Sequence, residues 1–302
     1  MSYKQNIIKL LKNNKITDIL NYLKKNKKED INLNFKLEND NFFIAKIISL
    51  NDNNLISYLF DNFDFNLDIV DNDNKTILYY PIKNNNLELL DIILKYDKKN
   101  IGISIIDKID TNGFTPLFYT IIENNIEAVN ILLKYESSLL VYDNDNKNIF
   151  DKAFEYKRQY IIKILIDSID NINILNGSGK NLLQLALDYN NFEIFNILIN
   201  KNININNQDR ENGLTSLHHA IVINNEDLYM KLINKKDINV NILDFNGNSP
   251  LHYAILEKNM NLINYILNNF DIEYKISDIY GNTLLHSYLD QNFRLNNDLD
   301  RK

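Results

Sequence analysis

Cysteine is absent from the 302-residue chain, and glycine and proline are scarce, with seven and three residues. The absence of cysteine excludes a disulfide framework, a cysteine-ligated zinc site and a cysteine nucleophile, and it suits a reducing intracellular compartment. The scarcity of glycine and proline disfavours a β-sandwich or a glycine-rich nucleotide-binding fold. A hydrophobic content of 45% is enough to form a core, so the composition favours helices joined by short turns.

Long apolar runs and an excess of positive charge are also missing. The N-terminal residues MSYKQNIIKLLKNNK lack the apolar core of a secretory signal, and no run approaches the length of a membrane span. The formal net charge of −7 disfavours binding to nucleic acid. One short basic run lacks interleaved aromatic residues, and we interpret it as a solvated helix end: Lys24, Lys25, Lys27 and Lys28. We therefore expect a soluble cytoplasmic protein without a membrane or nucleic-acid partner.

The sequence does contain one phrase that recurs at intervals of about 34 residues, as repeat arrays do. We call the residue that begins each phrase the opening residue of its repeat: Thr76, Thr115, Asn148, Asn181, Thr215, Ser249 and Thr283. The first interval is about five residues longer than the others. A regular period of this size indicates supersecondary units that cannot bury their apolar faces alone.

The phrase GNSPLHYAILEKN shows how one unit folds. Gly247 supplies a turn position with positive φ, Ser249 is a good N-cap, and Pro250 suits the first helical position. Apolar residues follow at helical spacing on both sides of a polar break at Lys258 and Asn259. Two helices of about two to three turns each are marginal in water, so each unit must stack on its neighbours.

These phrases resemble the T-P-L-H signature of ankyrin repeats. They read TPLF at Thr115–Phe118, TSLH at Thr215–His218, SPLH at Ser249–His252 and TLLH at Thr283–His286. An Asp-x-x-Gly turn precedes three of them, at Asp110–Gly113, Asp244–Gly247 and Asp278–Gly281. The resemblance implies an all-α solenoid of stacked helix–turn–helix repeats with β-hairpin-like turn tips. A stack in one dimension also predicts an elongated monomer.

We predict a single array over residues 1–302. Its parts are capping helices at 1–38, repeats at 39–70, 71–109, 110–142, 143–175, 176–207, 208–242 and 243–276, and an incomplete capping repeat with a charged tail at 277–302. Pro81 falls inside the first helix of its repeat, where we expect a kink because proline deletes a backbone hydrogen bond. Residues 97–110 carry the excess length of the first interval, and we interpret them as a disturbed joint; a domain boundary is the less favoured alternative.

Two groups of residues invite a catalytic or metal-binding interpretation. The NGSGKN stretch, Asn176–Asn181, lacks the Gly and the Ser or Thr that a phosphate-binding loop requires at fixed spacing, and we interpret it as a turn. His218, His252 and His286 share one repeat position, and stacking separates them by about 10 Å, too far to share a zinc ion. By resemblance, this histidine hydrogen-bonds the turn backbone, and we interpret the recurring aspartates as turn formers. We predict no enzyme activity, no metal and no cofactor.

In ankyrin arrays, the turn tips and the ends of the first helices line a concave groove that binds partners. Mapped onto this chain, the resemblance predicts partner contacts at Phe114, Asp145, Lys147, Tyr156, Lys157, Tyr189, Phe245 and Tyr280. The aromatic residues lead because interfaces are enriched in them, and the alternative that they pack between tips stays open. We expect a non-catalytic scaffold that binds a protein of unknown identity. The alternative function is an adaptor, or a pathogen or viral effector, that engages a host regulatory complex.

Overall fold

The computed structural model describes residues 3–13, 15–26, 32–37, 42–99, 104–274 and 277–289. Within these ranges the regular secondary structure is helical, and it has no strand longer than an isolated bridge. The helices are α1 (Tyr3–Lys12), α2 (Ile16–Lys25), α3 (Phe43–Ser49), α4 (Asn53–Asn62), α5 (Tyr79–Lys83), α6 (Leu87–Lys99), α7 (Pro116–Ile122), α8 (Ile126–Lys134), α9 (Ile149–Glu155), α10 (Gln159–Asp167), α11 (Leu182–Asp188), α12 (Phe192–Leu198), α13 (Ser216–Val222), α14 (Glu226–Ile233), α15 (Pro250–Leu256) and α16 (Met260–Asn269). Residues 284–289 are also helical. The predicted charged tail after residue 289, and Lys27 and Lys28 of the basic run, lie outside the described ranges.

The helices form pairs, one pair for each repeat, in which odd numbers mark the first helix and even numbers the second. First helices pack on first helices and second helices on second helices, as in the series α9, α11, α13 and α15 and the series α2, α4, α6 and α8. The chain divides into two compact units, Met1–Asp145 and Asn146–Lys302, which we call the first unit and the second unit. The repeat period of the sequence predicts that equivalent helices of successive repeats stack on one another within each unit.

The opening residue of a repeat acts as the N-cap of its first helix. Asn181 accepts hydrogen bonds from the first turn, and its own backbone N–H donates to Gln184 Oε1 at 3.0 Å, which completes a capping box. Thr215 and His218 form the equivalent pair in the next repeat, where the Thr215 N–H donates to His218 Nδ1 at 3.0 Å. These reciprocal caps satisfy backbone groups that a short helix leaves unpaired, so they fix where each helix begins.

A left-handed residue separates the two helices of a repeat. It is an asparagine in five repeats, at Asn51, Asn85, Asn124, Asn190 and Asn224, and a lysine at Lys157 and Lys258. Asparagine tolerates this conformation better than other side-chain-bearing residues. The next residue in the chain is the N-cap of the second helix, and in four repeats it is an asparagine whose side chain accepts a backbone N–H: Asn125, Asn191, Asn225 and Asn259. Asparagine pairs in the sequence therefore mark the turn and the start of the second helix.

An aspartate carboxylate organises most turn tips. Asp244 Oδ1 accepts the backbone N–H of Asn246 at 2.9 Å and of Asn248 at 2.8 Å. Asp71, Asp110 and Asp278 make the same two bonds in their own repeats. The prediction that these residues are turn formers is confirmed.

Neighbouring tips are joined by a backbone hydrogen bond. The Phe245 N–H donates to the Asn212 carbonyl at 2.8 Å, and the Ile279 N–H donates to the Asn246 carbonyl at 2.9 Å. Isolated antiparallel bridges, such as the one between Ser277 and Thr283, give the tips the predicted hairpin-like character. The tips therefore form a continuous edge along each stack.

Side-chain amides join successive repeats on the loops that follow the second helices. Asn206 Nδ2 donates to the Asp237 carbonyl at 2.7 Å, while its Oδ1 accepts the Asn239 N–H at 3.0 Å. Three more asparagines make this two-bond clamp to the next repeat: Asn34, Asn173 and Asn241. Each clamp pairs backbone groups that a loop without regular structure would leave to water.

Pro81 is accommodated by a late helix start. Helix α5 begins at Tyr79, so Pro81 is its third residue, where a backbone N–H would have no partner within the helix. The Tyr79 N–H donates instead to the Thr76 carbonyl at 3.1 Å, in a turn that replaces the beginning of the helix. The predicted loss of a helical hydrogen bond at Pro81 is therefore wrong, and α5 is instead a shorter helix of five residues, where α7 has seven.

Candidate interaction surface

In the second unit, the C-terminal ends of the first helices lie side by side because α9, α11, α13 and α15 stack in sequence. The residues that precede the opening residues reach these ends. Lys147 Nζ lies 3.0 Å from Glu155 Oε2, and Lys180 Nζ lies 2.8 Å from Asp188 Oδ2. We call this surface the inner face of the second unit, and its side chains are Lys147, Glu155, Tyr156, Lys180, Asp188, Tyr189, His219, Val222 and Leu256.

Tyr156 and Tyr189 hold equivalent positions, as the C-cap residues of α9 and α11. The Tyr189 ring stacks on Phe154, with centroids 5.8 Å apart and planes 19° apart, and burial raises the pKa of its hydroxyl. The guanidinium of Arg158 lies 5.6 Å from the Tyr156 ring centroid. The two residues are 41% and 37% exposed, so each ring is held by a neighbour and remains accessible. Rings in this state combine fixed geometry with free contact area.

The charged groups of the inner face are paired with one another. His219 lies between two carboxylates, with Nδ1 3.0 Å from Asp188 Oδ1 and Nε2 3.5 Å from Asp209 Oδ2. Burial alone would raise the pKa of Asp188, but hydrogen bonds from His219 and Lys180 outweigh it and lower that pKa. Lys180 also lies 3.4 Å from Glu211 Oε2. This part of the face therefore carries many charges and little excess of either sign.

Apolar side chains replace the charged ones towards the later repeats. Val222 and Leu256 end α13 and α15, at the position that Glu155 and Asp188 hold in α9 and α11, and they are 50% and 47% exposed. Met260, which begins α16, is exposed close by in sequence. Sequence reasoning missed these residues because it selected aromatic and charged side chains. A comparison of the repeats would have identified Val222 and Leu256, because they are apolar at a position that is charged in the two preceding repeats.

The other predicted contact residues lie on the tips or beside them, except Lys157, which lies in the turn between α9 and α10. Phe245 and Tyr280 are exposed, and the Phe245 ring lies against the tip of Gly213. Lys157 is exposed and left-handed, and Asp145 is an exposed tip residue whose N–H donates to Asp143. Phe114 instead stacks on Phe118 at 5.2 Å between centroids, so it is partly engaged within the first unit.

The histidines and the NGSGKN stretch have structural roles. The His218 Nε2 lies 3.2 Å from the Asn248 carbonyl of the next tip, which confirms for His218 that the histidine joins adjacent repeats. His252 Nε2 is buried without a hydrogen-bond partner in the described part of the chain, so for this residue the prediction is wrong. The Gly179 N–H donates to the Asn176 carbonyl at 3.0 Å, and Gly179 has φ of 73°, so the stretch is a turn tip. In the part of the chain that the structure describes, no group of three or more His, Asp or Glu side chains is arranged to hold a metal ion.

Comparison with known proteins identifies this architecture. A family model described as ankyrin repeats, in three copies, matches residues 99–176 and 182–278, together more than half of the chain. The chain belongs to the ankyrin repeat family. An ankyrin repeat protein of Acanthamoeba polyphaga mimivirus is 30% identical over 167 residues, which are 55% of this chain and 22% of that protein. The chain thus corresponds to about a fifth of its viral relative.

A solved structure confirms the fold. The ankyrin repeat domain of Bcl-3, described as a unique member of the IkappaB protein family, aligns with a TM-score of 0.60 and 20% sequence identity. The alignment covers 71% of this chain and 94% of that domain. The predicted all-α ankyrin-type solenoid is therefore confirmed. Ankyrin repeats generally mediate protein–protein interactions and are typically not catalytic. Among the described helices, none combines the length and the apolarity that crossing a membrane requires.

Proposed function

We propose that this ankyrin repeat chain is a non-catalytic scaffold whose second unit binds a protein partner on its inner face. One observation carries the proposal: exposed aromatic or aliphatic side chains lie at the end of four consecutive first helices, as the C-cap residues Tyr156 and Tyr189 and as the last helical residues Val222 and Leu256. Apolar and aromatic surface grouped in this way is typical of interaction sites, whereas single exposed apolar residues are common everywhere.

Within the proposed site, the two tyrosines and the aliphatic pair have different roles. Tyr156 and Tyr189 offer large rings with polar hydroxyls at a low cost in side-chain entropy, so they act as anchors. Val222 and Leu256 supply apolar area that a partner would remove from water. The paired charges of Lys147 and its neighbours form a polar rim. Lys157 extends the contact beside Tyr156, and Phe245 and Tyr280 extend it along the tips. Asp145 and Phe114 are separate candidate contacts of the first unit, and the chain binds as a monomer.

The test uses the full chain as bait, in wild-type form and as the double variant Val222→Lys and Leu256→Lys. The matched control is Leu267→Lys, which adds a charge at an exposed leucine of the second helix α16. We expect one set of proteins, identified by mass spectrometry, to be captured by the wild type and by the control and to be lost with the double variant. Loss of the same proteins with both variants, or with neither, would refute binding through the inner face.

The viral relative favours one particular setting. We propose, as the alternative, that the chain is an adaptor or effector that engages a host regulatory complex in the cytoplasm of an infected cell. The support is the 30% identity to an ankyrin repeat protein of a virus that infects Acanthamoeba polyphaga. Capture experiments with lysates of uninfected host cells test this alternative, because an effector finds its partner there without other viral proteins.

A further inference from the structure

The first unit carries a group of lysines and tyrosines that the proposed function does not use. We call it the lysine–tyrosine patch and define it as Lys46, Lys75, Tyr79, Tyr80 and Lys83. The bridges between Lys36 and Phe42 and between Val70 and Thr76 set two successive repeats in the same register. In that register Lys46 of α3 and Tyr80 of α5 are equivalent, and α3 packs on α5. The patch therefore spans two stacked repeats within one unit.

Two ammonium groups of the patch face the same aromatic ring. Lys75 Nζ lies 4.8 Å from the Tyr79 ring centroid, and Lys83 Nζ lies 5.6 Å from it. Lys75 also lies 5.8 Å from the ring of Tyr119, which packs edge-on against Tyr79. Cation–π contacts hold the lysine side chains in place without neutralising their charge.

A comparison between repeats shows that this charge is unusual in the chain. In the second unit, the lysine before the opening residue pairs with a carboxylate eight residues later, in Lys147–Glu155 and in Lys180–Asp188. The residue eight positions after Lys75 is Lys83, so the same place holds a second cation. Among the described residues, Lys83 and Lys46 have no carboxylate within ion-pairing distance. Asp73 lies 3.0 Å from Lys75 Nζ and the Lys75 side chain is only 18% exposed, so Lys46 and Lys83 are the cations of the patch that are open to a ligand.

We propose that the lysine–tyrosine patch binds an acidic peptide segment, rich in Asp and Glu, of a partner protein. The peptide carboxylates accept hydrogen bonds from Lys46 and Lys83, and the tyrosine rings contact the apolar atoms of the peptide. A long nucleic acid fits the patch less well, because the chain has a net charge of −7 and the patch is short. The patch shares no residue with the inner face of the second unit. It also differs in the chemistry of its partner, since the charges of that face are paired with one another.

The experiment measures fluorescence anisotropy of a short labelled peptide of alternating Glu and Gly with the full chain at low ionic strength. The same peptide with Gln in place of Glu tests the need for carboxylates, and an oligothymidylate tests nucleic acid. Lys83→Glu is the test variant. Lys134→Glu is the matched control, because it makes the same charge change at an exposed lysine at the end of the second helix α8 in the same unit.

We expect binding of the Glu peptide, no binding of the Gln peptide, and affinity about fivefold weaker in the Lys83→Glu variant than in the control, as for loss of about one exposed ion pair. Equal weakening in the two variants would show a general charge effect and overturn the site. Absence of binding to the Glu peptide, or tighter binding of the oligothymidylate, would overturn the acidic-peptide assignment. The double variant Val222→Lys and Leu256→Lys should bind the Glu peptide as the wild type does, which separates this proposal from the proposed function.

Discussion

The buried histidine at the centre of the second unit should make its stability depend on pH. His218 is fully buried; its Nδ1 accepts the Thr215 N–H, and its Nε2 lies against the Asn248 carbonyl. Burial lowers its pKa from 6.5 to about 4, against the opposing effect of the carbonyl and of nearby aspartates. Gln184 holds the same position one repeat earlier and makes both bonds without titrating. The substitution His218→Gln is therefore a replacement that the chain itself already uses.

The sign and size of the effect follow from the two pKa values. Between pH 6.5 and about 4, the unfolded chain binds a proton at His218 that the folded chain does not, so stability falls as pH is lowered through this window. At pH 5 the loss is about 2 kcal/mol, and at pH 7 it is only about a few tenths of a kcal/mol. The glutamine variant lacks this proton, so it should lose less stability between the two pH values.

Native-state hydrogen exchange of α13 and α15, corrected for intrinsic rates, measures the opening free energy next to His218. We expect the wild type to lose about 2 kcal/mol more than His218→Gln between pH 7 and pH 5. Loss of the edge-on contact between His218 and Tyr253 in the variant is the same at both pH values and cancels in this difference. An equal loss in the two proteins would refute the assignment of a buried neutral histidine.

Three further predictions follow from the packing. Tyr156→Ala should weaken partner binding by about 1–2 kcal/mol with little change in melting temperature. Tyr189→Ala should weaken binding similarly and also lower the melting temperature, because the Tyr189 ring stacks on Phe154. Calorimetry measures binding and unfolding of both variants, and a loss of stability without a loss of affinity would contradict the anchor role. Gly213→Ala should lower the free energy of unfolding by more than Gly281→Ala does. Both glycines have positive φ, but an added Cβ lies 2.6 Å from the Phe245 ring at Gly213 and meets nothing within 4 Å at Gly281. Equal urea midpoints for the two variants would disprove the tip contact. The repeats on either side of Thr115 should unfold together, because α5 packs on α7 and α6 on α8 within the first unit; separate transitions for probes placed before and after Thr115 in that unit would count against this.

The sequence predicts the frame of this fold because its strongest signals are local and periodic. Thr215, Ser249 and their histidines three residues later form the caps that the phrase indicates, and the aspartates of the tips hold the turns. Each of these contacts lies within a few residues of chain, so composition and spacing are sufficient to find it. The alignment of the repeats also predicts that Tyr156 and Tyr189 occupy equivalent positions, which they do.

Contacts between repeats are harder to read from one sequence. The asparagines look like a compositional background, yet Asn34, Asn173, Asn206 and Asn241 clamp successive loops. Their partners lie about one repeat away, and no local pattern distinguishes them from asparagines that only face water. The ion pairs of Lys147 and Lys180 become visible only when the repeats are compared position by position. The late start of α5 depends on a turn that the proline alone does not specify.

The asparagines at the left-handed turns have a consequence for the unfolded chain. Glycine adopts this backbone without steric cost, but it also gives the denatured ensemble the greatest freedom, which folding must remove. A side-chain-bearing residue at such a position narrows that ensemble, an effect of about 0.4–1 kcal/mol per site where the native conformation is tolerated. With Asn51, Asn85, Asn124, Asn190 and Asn224 at these turns, five repeats lose less conformational entropy on folding than glycine would require. The scarcity of glycine is thus compatible with stable turns, and part of their stability comes from the lower conformational entropy of the unfolded chain.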